Sequence, residues 1–307
     1  MTEPASRTVD SGGVALNVYS LGDEQAPSVI LLHAMRDVAL SLMPVAERLA
    51  GDYHVLLPDL RGHGRSERPG NYAMPAYLFD VSSVLDAFEK ATTAVFGHSL
   101  GGQIGVRFAA LYPDRVRTAI LVEGLGPPAR NRPDSLMLDS ARLMKIEGQR
   151  ILDTMALPVA ARPLPDLAFA ANRLLTNNPR LTPERANTLA ANATETDPQG
   201  NLLWAFDPRV ASVFLGLGHQ DSERYWRQVG CPTLLITGAQ AHEYWSQAIP
   251  AGSDWTGEYA PGELAERLSA FPDHEHLRFE ASGHMVHYDE PDTLARASYE
   301  FLRRRYE

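Results

Sequence analysis

Six short apolar runs recur along this chain, separated by longer stretches whose apolar residues repeat at helical spacing. The runs are PSVILLH (27–33), YHVLLPD (53–59), TTAVFGH (92–98), RTAILVEG (117–124), PTLLITG (232–238) and HLRFEA (276–281). Several are near-continuous rather than alternating, the pattern of a strand covered on both faces and hence of a parallel sheet. The intervening stretches LSLMPVAERLA (40–50), PAYLFDVSSVLDAFEK (75–90), GGQIGVRFAALYP (101–113) and PDTLARASYEFLRRR (291–305) are amphipathic. Alternating strands and helices imply right-handed crossovers and an α/β fold with a doubly wound, mostly parallel sheet. The opening SRTVDSGGVALNVYSLG (6–22) reads as a hairpin around Gly12-Gly13, an antiparallel edge.

One segment breaks the rhythm. Residues 127–229 offer no convincing strand, while SARLMKIEGQRILDTMA (140–156), LPDLAFAANRLLTNN (164–178) and TPERANTLAANATE (182–195) read as helices. The last has Thr182 as cap, Pro183 at the first helical position and Glu184 in the first turn. The expected organisation is a core of residues 1–126 and 230–307 with an inserted helical cap over 127–229.

A chain of 307 residues with 44% hydrophobic side chains can bury a large core. Its net charge of −10 argues against nucleic acid and anionic membrane surfaces as partners. A single cysteine, Cys231, allows neither an intrachain disulfide nor a cysteine zinc site, and reads as a small buried thiol. The start MTEPASRTVD lacks the apolar region of a signal peptide, and no window approaches the ~18 apolar residues of a membrane span. A soluble, cytoplasmic protein acting on a small molecule is the expectation; oligomeric state is left open.

VFGHSLGGQ (95–103) sets Ser99 between Gly97 and Gly101, after a strand and before a helix. A strand that turns sharply into a helix strains the residue at the turn, and side chains two positions to either side would collide across it. Glycine at both places relieves the collision. The hydroxyl then stands at the helix N-terminus, where the dipole and the Leu100 N–H favour developing negative charge.

With this elbow the sequence resembles the α/β-hydrolases, and further segments agree in order. LLHAMRD (31–37) resembles the family's loop after the third strand, and PDLRGHGRS (58–66) the loop after the fourth. ASGHMVHYDEP (281–291) resembles the segment carrying the catalytic histidine, and the helical insert sits where the family has its cap. The resemblance implies Ser99 as nucleophile, His284 as base, and the N–H groups of Leu100 and Met35 as oxyanion hole. Ala34 stands where the family usually has glycine, so its Cβ bears on the Met35 assignment. His33 and His98 read as structural hydrogen-bonders, as do Asp59, Arg61 and His63 within their loop. His287 reads as a packing or hydrogen-bonding residue, because no other cluster in the sequence has metal-ligand spacing. No metal or cofactor is expected. Arg36 either pairs with Asp37 or Asp59, the favoured reading, or faces the pocket to hold a substrate carboxylate or carbonyl.

The third triad member has two candidates. Most relatives place it three residues beyond a glycine after the seventh strand, but here that position is Ala241, with Glu243 two residues further. Glu123 ends the strand AILVEG, and carboxyl ends of parallel strands line the crevice. VEGLGPP also resembles a subgroup that keeps a glutamate there together with HxxRD and a glycine-to-tryptophan segment, here Gly238 to Trp245. Glu123 is favoured, with Glu243 as alternative.

A serine with a histidine base supports acyl transfer, so the expected activity is that of a serine hydrolase of carboxylesterase or lactonase type. Its substrate would be a medium-sized, mostly apolar ester or lactone, cleaved through an acyl-enzyme. The family's epoxide hydrolases and haloalkane dehalogenases use aspartate at the nucleophile position. Carbon–carbon bond hydrolases, acyltransferases and small-ligand receptors of the same fold remain as alternatives. Trp204 and Trp226 in the insert either line a pocket or form the insert's own core.

Overall fold

The computed structural model describes residues 4–128, 140–158, 162–214, 219–247 and 255–306. Eight strands form one sheet in the order β1 (Ala5–Asp10), β2 (Ala15–Leu21), β4 (His54–Pro58), β3 (Ser28–Leu32), β5 (Thr93–His98), β6 (Val116–Val122), β9 (Thr233–Gly238) and β10 (His274–Phe279). The β1–β2 hairpin turns at Gly12 and Gly13, both at positive φ, and β2 pairs antiparallel with β4; the remaining pairings are parallel.

Two hydrophobic clusters explain the continuous apolar runs. Val29 and Leu31, Val55 and Leu57, Ala94 and Phe96, Ile120 and Val122, and Leu234 and Ile236 point into one. The alternate residues Ile30 and Leu32, Leu56, Val95, Ala119 and Leu121, and Leu235 point into the other. Successive strand side chains face opposite ways, so burial on both faces makes the middle of each strand apolar and leaves polar residues such as Ser28, Thr93 and Thr233 near the strand ends. Helices α1 (Met43–Leu49) and α11 (Pro291–Arg305) cover the first face, with Leu49, Leu294 and Phe301 buried there. Helices α2 (Met74–Ala87) and α3 (Leu100–Leu111) cover the second through Tyr77, Val81, Ile104 and Phe108.

Between β6 and β9 lie α4 (Ser140–Met155), α5 (Leu167–Asn177), α6 (Pro183–Ala193) and α7 (His219–Trp226). Thr182 caps α6 through its hydroxyl, and Asp166 caps α5 through its carboxylate, which accepts from the Phe169 N–H. The insert also holds two strands that the sequence reading did not anticipate, β7 (Thr194–Thr196) and β8 (Leu202–Trp204), paired antiparallel. Their turn is closed by Asp197, whose carboxylate accepts from the Gln199 and Asn201 N–H groups, and by Gly200 at φ 86°. Helices α5 and α6 share a small cluster of their own, built on Ala170, Leu181, Ala186 and Leu189 and touching Tyr288 of the core. Helix α7 belongs elsewhere: Trp226 is 1% exposed in the second sheet-face cluster and stacks on Phe271 with ring centroids 5.8 Å apart. Trp226 is therefore core, and the expectation that it contacts substrate is corrected. Trp204 packs against the small insert cluster. Among the described residues no helix is long and apolar enough to cross a membrane.

Candidate active site

The carboxyl ends of β3, β5, β6, β9 and β10 converge on one region. At the tip of β5 the chain turns at Ser99, held at φ 50°, into α3. The flanking glycines are dictated by close approach. A Cβ at Gly97 would lie 2.3 Å from the Gly101 carbonyl oxygen, and one at Gly101 would lie 2.0 Å from the Leu32 carbonyl oxygen. The next strand tip repeats the device, with Glu123 also at φ 50°. Two non-glycine residues in the left-handed region at adjacent strand ends store strain that the surrounding ladder must hold. It does so through Ser99 N–H to Val122 O (2.9 Å) and Glu123 N–H to Ile236 O (2.8 Å).

The side chains form one chain of hydrogen bonds. Ser99 Oγ lies 3.0 Å from His284 Nε2, and His284 Nδ1 lies 2.9 Å from Glu123 Oε2. The other carboxylate oxygen of Glu123 accepts from the Gly238 N–H at 2.8 Å. Both Glu123 and His284 are buried, at 6% and 2% exposure, so a charge on the imidazole is met by the carboxylate with little water between them. Glu243, the alternative acid, is turned away: it forms a two-pronged ion pair with Arg180 of the insert, at 2.7 and 2.8 Å. That hydrogen bond holds the Glu243 carboxyl below the usual carboxylate range.

Leu100 is the first residue of α3, so its N–H has no intrahelical acceptor. The loop after β3 closes a turn by Asp37 N–H to Ala34 O (3.3 Å), leaving Met35 and Arg36 at its centre and Arg36 at φ 64°. Ala34 is accommodated, buried at 4% exposure. The favoured pairing of Arg36 does not form. Asp37 is committed to buried donors on every side: Val38 N–H and Tyr288 O–H on Oδ1, Ser41 O–H and His287 on Oδ2, at 2.8–3.1 Å. Asp59 accepts from Asn17, Ala39 N–H and Arg65 N–H. Arg36 is left exposed, its guanidinium 5.7 Å above the Phe206 ring.

The supporting histidines behave as expected. His33 bridges the Ala34 carbonyl and the Leu60 N–H. His63 bonds the Arg61 carbonyl, and burial pushes its pKa down to about 3. Arg61 pairs with Asp80 of α2 at 2.6 Å. His98 donates Nε2–H to the His284 carbonyl (2.8 Å), and burial drives it well below its ordinary pKa, so it is a neutral strut under the histidine loop. Asp37, His98 and His287 offer ligand atoms within 4.8 Å of one another, a grouping invisible in sequence spacing. The four donors already on Asp37 make it a junction of the loop after β3 and the histidine loop rather than a free donor set.

Sequence reasoning missed two aromatic residues. Tyr244 stacks on His284 with centroids 4.2 Å apart and planes at 17°, and Trp245 meets the same ring edge-on at 4.8 Å and 66°. Trp245 had been noted only as part of a spacing pattern. A cavity of about 190 Å³ adjoins Tyr244, lined also by His284 and by insert residues including Asn177, Asn178 and Arg180. Its lining is richer in amides and charges than the apolar pocket expected.

Residues 27–291 match the model of the alpha/beta hydrolase fold. The chain is 27% identical over 237 residues to a 3-hydroxybutyrate-oligomer hydrolase of Cupriavidus necator, covering 73% of this chain and 76% of that one. It is 31% identical over 119 residues to a 2-(acetamidomethylene)succinate hydrolase of Mesorhizobium japonicum, covering 38% of this chain and 42% of that one. Several other curated relatives are matched over only about a third of their length, 30% in the case of the mycobacterial ones. Among solved structures, the thioesterase domain from the curacin biosynthetic pathway superposes with a TM-score of 0.78 at 24% identity, over 96% of this chain and 99% of that one; at that identity the likeness concerns the fold alone.

Proposed function

The chain belongs to the α/β-hydrolase fold family, and from that premise we propose that it is a serine hydrolase that cleaves an ester or lactone through an acyl-enzyme. The observation that carries this reading is the unbroken hydrogen-bond chain from Glu123 through His284 to Ser99, with Ser99 raised on a strained elbow. The carboxylate accepts from Nδ1–H, which fixes the tautomer with the Nε2 lone pair toward Ser99. His284 takes the serine proton as Oγ attacks the carbonyl carbon. The resulting imidazolium is stabilised by Glu123, and the oxyanion by the N–H groups of Leu100 and Met35. The same Nε2–H then protonates the leaving oxygen, and water repeats the sequence to free the acid. Ser99 rather than aspartate at the elbow separates this chemistry from that of the family's epoxide hydrolases.

In this reading the insert is a cap. Its contribution to the cavity beside His284 supports that role, as do the Arg180–Glu243 pair and the Arg185 bond to the His287 carbonyl at 2.9 Å. The amides and charged groups among the lining residues can meet hydrogen-bonding groups of a substrate on the His284 side while the rest of the lined surface is apolar, and the exposed Arg36 is available to a carboxylate or carbonyl. A fluorophosphonate should label the wild type and not Ser99→Ala, and a panel of p-nitrophenyl esters and aromatic lactones should show turnover that falls about 10⁶-fold in the same variant. Labelling that persists in Ser99→Ala would defeat the assignment.

A further inference from the structure

Two aromatic rings meet the catalytic imidazole, and the serine-hydrolase mechanism uses neither of them. Tyr244 lies nearly parallel to His284, Trp245 closes its edge, and both sit on α8 (His242–Ser246), a helical turn that begins four residues after Gly238. None of its residues is fully buried, and Ala241 before it and the close approach of Gly257 to its backbone hold it on the core side. It is held from the insert, by the two-pronged bond of Arg180 to Glu243. The neighbour of Glu243 in sequence is the stacking tyrosine itself.

We propose that Tyr244 and Trp245 are positioning residues for His284, and that the Arg180–Glu243 pair latches them in place so that the insert governs the base. The inference rests on the serine-hydrolase reading. A histidine that carries a proton from nucleophile to leaving group must keep Nε2 aimed at both, and it becomes cationic midway. A ring stacked at 4.2 Å restricts rotation of the imidazole out of line with Ser99. Its π face also attracts the imidazolium more than the neutral imidazole, so the contact strengthens as the transition state forms. The aromatic ring, and not the tyrosine hydroxyl, carries both effects. The latch contributes less, because Arg180 and Glu243 are 28% and 41% exposed and an exposed pair is screened, although two-pronged geometry is the favourable case.

The test needs no natural substrate: it follows the second-order rate of fluorophosphonate labelling at Ser99 in full-length protein, with thermal melting as a check on folding. Tyr244→Leu should slow labelling about tenfold, and Trp245→Leu about threefold. Tyr244→Phe, which restores the ring, should recover the wild-type rate to within about twofold. Arg180→Gln and Glu243→Gln should each slow labelling about threefold, and the double variant should be no slower than either single one. Tyr244→Leu labelling at the wild-type rate overturns the stacking role, as does a Tyr244→Phe loss equal to that of Tyr244→Leu. Wild-type labelling in Arg180→Gln, or additive losses in the double variant, overturns the latch. Wild-type protein that shows no Ser99-dependent labelling overturns the serine-hydrolase reading and this inference with it.

Discussion

Replacing Glu123 by glutamine changes one atom and tests how the site is wired. In the native arrangement Oε1 accepts from the Gly238 N–H and Oε2 from His284 Nδ1–H. A glutamine can keep only one of these acceptors. With its oxygen on Gly238, its NH₂ faces Nδ1, so Nδ1 must carry the lone pair and Nε2 the proton, the wrong tautomer for activating Ser99. With its oxygen on His284, the NH₂ meets the Gly238 N–H, and two buried donors face each other. Leaving that N–H unsatisfied costs about 1–3 kcal/mol, which favours the inactive tautomer by roughly 5- to 150-fold. The variant also lacks the charge that stabilises the imidazolium, and the two losses together should lower kcat by about 10³–10⁴, as an acid-to-amide change does in a serine protease triad. The assay is turnover of whichever p-nitrophenyl ester the wild type hydrolyses, on protein shown by circular dichroism to be folded. Glu243→Gln should stay within about fivefold, since its carboxylate serves only a partly exposed pair. A folded Glu123→Gln that retains more than a tenth of the wild-type rate would refute the argument, and the reverse ranking would make Glu243 the acid.

Asp37 makes stability depend on acid. Burial alone would raise its carboxyl, but the hydrogen bond and charge of His287 and the Ser41 hydroxyl outweigh it and hold the pKa at about 2, against 3.8 ordinarily. Because the folded value is the lower one, the stabilisation is full above about pH 4 and fades as the pH falls toward 2; the gap corresponds to roughly 2 kcal/mol. The difference in urea stability between wild type and Asp37→Asn should therefore shrink across that window, and a constant difference from pH 7 to pH 2 would count against it. Gly101→Ala should be insoluble or lose more than about 3 kcal/mol, because its Cβ meets the Leu32 carbonyl, whereas Gly148→Ala in α4 meets nothing within 4 Å and should gain about 0.5–1 kcal/mol. Trp226→Ala should cost about 3–5 kcal/mol in a denaturant melt while leaving the ranking of ester substrates unchanged.

How much of this was legible beforehand depends on the range over which each signal acts. The strands were readable because burial on both faces leaves a local trace, an uninterrupted apolar run. Ser99 was readable because the elbow forces glycine at two nearby positions, and Glu123 because the end of a run marks a strand tip. The β7–β8 hairpin left too little trace, since three residues per strand carry no periodicity. Trp226 misled because an aromatic residue in an insert has the same composition signal whether it lines a pocket or fills a core. Two of the four partners of Asp37 lie 250 and 251 positions away, so its adjacency to Arg36 suggested a pair that the fold does not make. The stacking of Tyr244 on His284 has the same origin: nothing local distinguishes it from any other surface aromatic.

The base reaches the nucleophile across 185 residues of chain, from the loop beyond β10, a strand at the sheet edge that pairs only with β9. The elbow is encoded early, but the base that activates it is delivered only when that edge strand docks. Until then Ser99 is an ordinary alcohol on a half-built sheet. On the proposed serine-hydrolase reading, a chain whose edge has opened lacks the base beside Ser99, so covalent labelling would count molecules with β10 in place.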